Sequence, residues 1–254
     1  MSAPLVHRET ADGVATITLD SPHNRNALSA RLRAELAGHL AQARADDTAR
    51  VVVLTHTGPV FCSGMDLAET PNPSADGAGV LEFPAILQAI WDSPKPVVAR
   101  LAGPARAGGV GLVAACDVAI AVRTATFAFS EVRIGVVPAV ISAVVRPRMS
   151  PRAVHELFLT GEVFDAARAV QTGLINAAVP AEHLDEEVAR YTGLLRLGAP
   201  GALAATKRLL ARPAADDLGE QLAALAGESA GFFASQEAAE GIRALAEKRP
   251  PRWA

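Results

Sequence analysis

Two short turns of small residues carry the chemistry this sequence suggests. One is Val60-Phe61-Cys62-Ser63-Gly64-Met65-Asp66-Leu67, just after the apolar run Val51–Thr55. The other is Ala105-Arg106-Ala107-Gly108-Gly109, just after Val97–Leu101. Each falls where a strand gives way to a helix, so backbone N–H groups are free and the helix dipole favours negative charge. Two such groups aimed at one point form an oxyanion hole, and one donor lowers a barrier by roughly 3–4 kcal/mol in a dry site. Small residues let a ligand approach the backbone closely. Read singly, each turn is better explained as a packing turn. Glu131 is the candidate proton carrier. It follows Phe127–Phe129 and precedes Val132 and Ile134. A carboxylate in such surroundings resists ionisation, which suits general acid–base work near neutral pH. Without wider context it reads as a surface residue at the end of a strand.

Other chemistries fit less well. The six histidines are scattered, and His155-Glu156 has Leu159 where the second histidine of a zinc-binding HExxH would stand. No metal site is expected. No serine sits in a GxSxG elbow. Gly109, Gly111 and Ala114 fit a dinucleotide-type GxGxxA, with Glu131 where a ribose-binding acid would fall. The loop from Leu101 to Gly109 is too long for the tight turn that motif needs.

The frame is an ordinary globular one. Of 254 residues half are apolar and a fifth charged, with a formal net charge of −3. One domain of this length buries about three-quarters of its unfolded surface. No broad basic field for nucleic acid is present. Two cysteines, Cys62 and Cys116, exclude a disulfide framework and suit a reducing compartment. The N-terminus lacks a basic region followed by an apolar core, and no apolar run nears the roughly 18 residues of a membrane span. A soluble cytoplasmic protein is expected.

The elements that must position the two turns follow from local signals. Leu5–Glu9 and Val14–Leu19 read as strands joined around Ala11-Asp12-Gly13, a hairpin signal. Ser29 caps a helix with Leu32, Leu36 and Leu40 on one stripe. Val51–Thr55 is a buried strand. Thr70–Gly79 is a turn-rich loop, Val80–Trp91 a helix and Val97–Leu101 a strand. A glycine-rich turn, Gly103–Gly111, leads to an apolar helix ending near Cys116. Asp117–Val122 and Thr126–Phe129 are strands. Ser150-Pro151 starts a helix, Asp165 caps another that Gly173 ends, and Leu174–Val179 is a last strand. Beyond Ala181 only helices are expected, broken near Gly198–Pro200 and at Arg212-Pro213. The alternation predicts an α/β core with a helical C-terminal part.

Several motifs in order resemble the enoyl-CoA hydratase/isomerase (crotonase) superfamily. They are Asn26-Ala27-Leu28-Ser29, Phe61–Leu67, Ala107-Gly108-Gly109 through Cys116-Asp117, and Phe129-Ser130-Glu131 through Ile134–Pro138. Leu159-Thr160-Gly161, Phe164-Asp165-Ala166 and Gly173-Leu174-Ile175 continue the likeness. The resemblance implies a spiral of ββα units over residues 1–196 and a helical trimerisation region over 197–254. It implies homotrimers, often paired as hexamers. It implies a coenzyme A thioester substrate and no permanently bound cofactor. The thioester oxygen would bond to the N–H groups of Met65 and Gly108. Coenzyme A would lie along Arg25, Ala27, Ser63, Gly64, Met65, Asp66, Leu67, Gly108 and Gly109.

The acid–base pair departs from the family. Of the two glutamates of its hydratases, one matches Glu131 and the other falls on Gly111. The expected reaction is hydration of a 2-enoyl-CoA with Glu131 as general acid and base. Two alternatives are a Δ3,Δ2-enoyl-CoA isomerase with Glu131 as proton shuttle and a non-catalytic acyl-CoA-binding homologue. Candidates to replace the missing acid lie in the loop Thr70–Gly79 or the helix Val80–Trp91, for instance Glu82. Gly109–Leu112 and Pro138–Ser142 resemble hydratases of carboxylated, branched esters (3-methylglutaconyl-CoA type) from leucine or isoprenoid degradation.

Overall fold

The computed structural model describes residues 3–69, 78–212 and 218–253. Strands β1 (Val6–Ala11) and β2 (Val14–Leu19) form an antiparallel hairpin with Ala11 opposite Val14. Its two turn residues, Asp12 (φ 49°) and Gly13 (φ 75°), both lie in the left-handed region, as a two-residue hairpin turn of the right twist requires. Helix α1 (Ala30–Ala45) follows, its Ser29 cap accepting a hydrogen bond from the Leu32 N–H. Leu32, Leu36, Leu40 and Ala43 are buried along one face.

Next come β3 (Val51–His56), α2 (Ala78–Trp91), β4 (Val97–Leu101), β5 (Ala105–Arg106) and α3 (Gly108–Ala115). Then follow β6 (Val118–Val122), β7 (Thr126–Ala128), α4 (Ala139–Val145), α5 (Pro151–Thr160), β8 (Phe164–Asp165), α6 (Ala166–Thr172) and β9 (Ala177–Val179). The main sheet runs β1-β2-β3-β4-β6-β9 and is parallel from β2 onward. All of β3 is buried, which is why it reads as an unbroken apolar run rather than an alternating one. A second, small sheet is ordered β5-β7-β8, and Cys62 joins it through a bridge to Ala105. The chain therefore repeats one unit, from a main-sheet strand to a short segment of the second layer to a helix. β3, Cys62 and α2 make one turn, β4, β5 and α3 the next, and β6, β7 and α4 a third. This is the spiral of ββα units expected.

Some boundaries differ from those the sequence predicts. Residues 70–77 of the turn-rich loop lie outside the described residues, and Ala78 and Gly79 open α2. Leu174 and Ile175 are not strand, because both amides turn back to the Ala169 carbonyl to close α6 behind Gly173. Ser150 occupies the cap position of α5 without a capping bond from its side chain. Glu131 sits in a 3-10 turn, Ser130–Ile134, rather than at a strand end.

The C-terminal helices are α7 (Leu184–Arg196), α8 (Pro200–Leu210), α9 (Leu218–Phe233) and α10 (Gln236–Ala246). Helix α8 is tied to the sheet by Lys207, whose ammonium lies 2.6 Å from Asp117 Oδ2. The same oxygen accepts the Val97 N–H at 2.7 Å, and Lys207 also donates to the Lys95 carbonyl. Asp117→Ala strands two donors in a half-buried site, and leaving such a group unpaired costs about 2 kcal/mol. The expected result is a clearly lower urea midpoint with an unchanged slope. An unshifted midpoint would show that α8 docks without this tie.

Candidate active site

Three short segments are sewn side by side through their main chains. Leu28 N–H donates to the Gly64 carbonyl (2.8 Å) and Ser63 N–H to the Arg25 carbonyl (3.1 Å). Phe61 N–H donates to the Pro104 carbonyl and Arg106 N–H to the Cys62 carbonyl, each at 2.9 Å. The two candidate turns are thus neighbours, held by the backbone.

Their geometry depends on unusual backbone angles. Gly64 has φ 92°, and a side chain there would meet Ala107 Cβ at 2.9 Å and the Arg106 carbonyl at 3.2 Å. Ala107 has φ 48° and ψ −120°, a conformation L-residues avoid and that persists only when its surroundings impose it. Its N–H is held by the Ala128 carbonyl, and its own carbonyl accepts from Val110 and Gly111. The result is that Gly108 becomes the first residue of α3, where an N–H has no partner inside the helix. Among the described residues, no hydrogen bond engages the Met65 or Gly108 amide.

Both turns open onto a cavity of about 120 Å³ lined by Met65, Phe83, Gly108, Glu131 and residues 136–141. Four larger hollows lie elsewhere among the described residues, about 430 Å³ beside Arg146 and His155, about 330 Å³ among α8, α9 and α10, about 260 Å³ beside Asp47 and Lys95, and about 220 Å³ beside Asp92 and Lys207. None of the four is lined by Met65, Gly108 or Glu131. Glu131 is the one ionisable side chain on the small cavity's wall among the described residues. Its Oε2 is buried and unpartnered, and burial pushes its pKa above the ordinary 4.5. Met65, Gly108 and Glu131, named from sequence, therefore meet at one place.

The remaining sequence candidates fall into two groups. Arg25, Ser63, Asp66 and Leu67 form a contiguous strip beside the Met65 turn, with Arg25 and Leu67 exposed. Asp66 also serves its own loop, accepting from the Ala68 N–H and from Asn24. Ala27 is buried. Gly109 is needed by the protein itself, since a Cβ there would stand 2.5 Å from the Cys62 carbonyl oxygen. With Gly109 and Gly111 both inside α3 and β5 before it, the GxGxxA segment is not a strand-to-helix turn. Glu82 does not reach the cavity wall; it is exposed and pairs with the buried Arg33 at 3.1 Å. Nor, among the described residues, does another acid occupy the place of Gly111, which lies against Ile141.

Two supporting residues carry no obvious mark in the sequence. Asn26 is fully buried at φ 52°. Its Oδ1 accepts the Ser21 N–H, and its amide donates to the Thr57 and Val60 carbonyls (3.0 and 2.7 Å). It fixes the approach to the first turn, and its place in Asn26-Ala27-Leu28-Ser29 is the one signal that points to it. Arg106 braces the second turn, donating to the Ala105 and Thr126 carbonyls and to the Thr126 hydroxyl. Nothing in the residues around Arg106 announces that role.

Residues 9–254 match the sequence profile of the enoyl-CoA hydratase/isomerase family. The chain belongs to that family. Carnitinyl-CoA dehydratase of Proteus mirabilis is 33% identical over 258 residues, covering 98% of this chain and 97% of that one. The crystal structure of an enoyl-CoA hydratase from Mycobacterium smegmatis matches with a TM-score of 0.92 at 32% identity, over 99% of both chains. An enoyl-CoA hydratase/isomerase structure from Marinobacter aquaeolei matches at 0.89 and 30% identity, again over 99% of both. The fold is the crotonase fold, as the motifs implied. Among the described residues no helix is long and apolar enough to cross a membrane, and no group of three acidic, histidine or cysteine side chains is placed to hold a metal ion.

Proposed function

We propose that this family member hydrates a 2-enoyl-CoA thioester. The observation that carries the reading is the convergence of an unpartnered, buried carboxylate and two amide-bearing turns on one apolar cavity. The thioester oxygen accepts hydrogen bonds from the Met65 and Gly108 amides. Glu131 takes a proton from water as the oxygen bonds to C3, and the C2=C3 electron pair moves onto the thioester as an enolate. Preorganised amides favour that charge most at the transition state. Collapse of the enolate returns the proton from Glu131 to C2 on the same face, so the addition is syn. Arg25, Ala27, Ser63, Gly64, Asp66, Leu67 and Gly109 line the coenzyme A side of the two turns in this reading. No cofactor is held between turnovers.

A specific observation favours a second reading. Among the described residues Glu131 is the one acid on the cavity wall, and Ile141 fills the space beside Gly111. One carboxylate in an apolar cavity suffices to move a proton between C4 and C2, which is Δ3,Δ2-isomerisation. A spectrophotometric panel of crotonyl-CoA, 3-methylglutaconyl-CoA and a 3-enoyl-CoA separates the readings. Loss of the conjugated-thioester absorbance with a 2-enoyl ester is the expected result. A gain with only the 3-enoyl ester makes the enzyme an isomerase, and binding without turnover makes it a non-catalytic acyl-CoA protein. The terminal carboxylate of the 3-methylglutaconyl ester would find no cation on the cavity wall among the described residues, so crotonyl-CoA is expected to react faster.

The base must be ionised to act, and its pKa is raised by burial. The acid limb of kcat/KM against pH is therefore expected at a midpoint above 4.5. A limb at or below that value would remove Glu131 as the base. Assembly into trimers or hexamers through the C-terminal helices belongs to this proposal. Leu222, Phe233, Ile242 and Leu245 are exposed there, and light scattering of the purified protein tests it.

A further inference from the structure

Helices α3 and α4 pack unusually closely at one point of the acyl cavity. A Cβ on Gly111 would lie 2.5 Å from Ile141 Cγ2 and 3.2 Å from Ile141 Cβ, with Leu87 at 3.7 Å. Gly111 stands three residues beyond Gly108 on the same helix face, so it lies one turn deeper from the oxyanion turn. The two levels are matched. A Cβ at Gly108 would meet Leu28 and Phe83, while the level below holds Gly111, Leu87 and Ile141. Phe83 and Leu87 lie about one turn apart on α2. Ile141 is buried and lies on the cavity wall. Being β-branched, it has little freedom to swing aside.

We propose that Ile141 sets the length of the acyl chain this site accepts, and that Gly111 is the residue that admits it there. The inference rests on the acyl-CoA reading above. With Ile141 in place the cavity measures about 120 Å³, well under the roughly 300–1,000 Å³ of ordinary ligand pockets. Its wall carries no cation among the described residues. The ligand class is a short, uncharged acyl chain.

The test measures kcat/KM on crotonyl-CoA and 2-octenoyl-CoA for the parent, Ile141→Ala and Ile141→Val. Calorimetry of butyryl-CoA and octanoyl-CoA reads the same preference without turnover. The parent is expected to favour the four-carbon ester at least tenfold. Ile141→Ala moves the ratio toward eight carbons by about tenfold or more, the size of effect that a small change in an apolar pocket produces. Ile141→Val falls between. Gly111→Ala lowers Tm more in the parent than in the Ile141→Ala background, because the 2.5 Å contact with Ile141 Cγ2 is removed while the 3.2 Å contact with Cβ remains. Variants that melt cooperatively with a ratio within twofold of the parent overturn the inference alone. Should Ile141→Ala fail to fold, the chain-length ratio of Ile141→Val decides in its place. Failure of the parent to bind either saturated ester overturns the acyl-CoA reading and this inference together.

Discussion

Glu131→Gln is expected to lower kcat on the preferred enoyl-CoA by about 10²–10⁴-fold, the usual contribution of a positioned acid–base group. Coenzyme A ester affinity should hardly change, since the Met65 and Gly108 amides and the exposed strip beside them are untouched. Stability should move the other way. Burial raises the folded-state pKa of Glu131 above 4.5. Between the unfolded and folded values the native state binds more protons, so this group's contribution falls as pH rises through that window. At neutral pH the carboxylate therefore opposes folding, and a neutral amide of the same shape relieves it. Melting curves should place the variant above its parent at pH 7, with the gap closing below about 4.5. A near-parental rate would remove Glu131 from the chemistry. A lower Tm at pH 7 would mean that the carboxylate is better accommodated than its orphaned Oε2 implies.

The second large effect comes from a residue with no side chain. The ψ angle of Gly64 directs the following peptide plane, and that plane carries the Met65 N–H. Gly64→Ala adds a methyl at φ 92° and places it against Ala107 Cβ and the Arg106 carbonyl. Neither neighbour can yield without moving the second turn. The expected result is a loss of kcat of about 10²-fold, as for a catalytic group displaced by roughly 1 Å. A stability loss of about 1–3 kcal/mol accompanies it. Transition-state affinity should suffer more than ground-state binding, so KM should change less than kcat. A raised KM with kcat unchanged would mean that the Met65 amide holds substrate and transition state alike.

What was legible in the sequence is what local chemistry dictates. Asp12-Gly13 announces its hairpin because both residues tolerate left-handed backbone. Ser29, Asp165 and Gly173 announce helix ends for similar reasons. Met65, Gly108 and Glu131 could be named because their motifs lie in known order along the chain. What stayed hidden depends on partners distant in sequence. The two-residue strands β5 and β8 exist only through pairing with β7 and Cys62. The 3-10 turn carrying Glu131 had no pattern of its own. Ile141 is an ordinary apolar residue until α4 is laid against the bare backbone of Gly111, thirty positions earlier. Glu82 looked available because nothing nearby in sequence claims it, while Arg33, far along the chain, does.

The donors proposed for the thioester are main-chain amides, held by Ala107's forced backbone and by hydrogen bonds between neighbouring segments. Alanine scanning would pass straight over them, because Met65→Ala keeps its N–H. Substitutions at Met65 should therefore tune the fit of the ligand while leaving the donor in service. Only a change of chain path, or exchange of the amide for an ester linkage, can take that donor away. This part of the site is written in the course of the backbone, and a comparison of side chains alone would underestimate how much of it two distant relatives share.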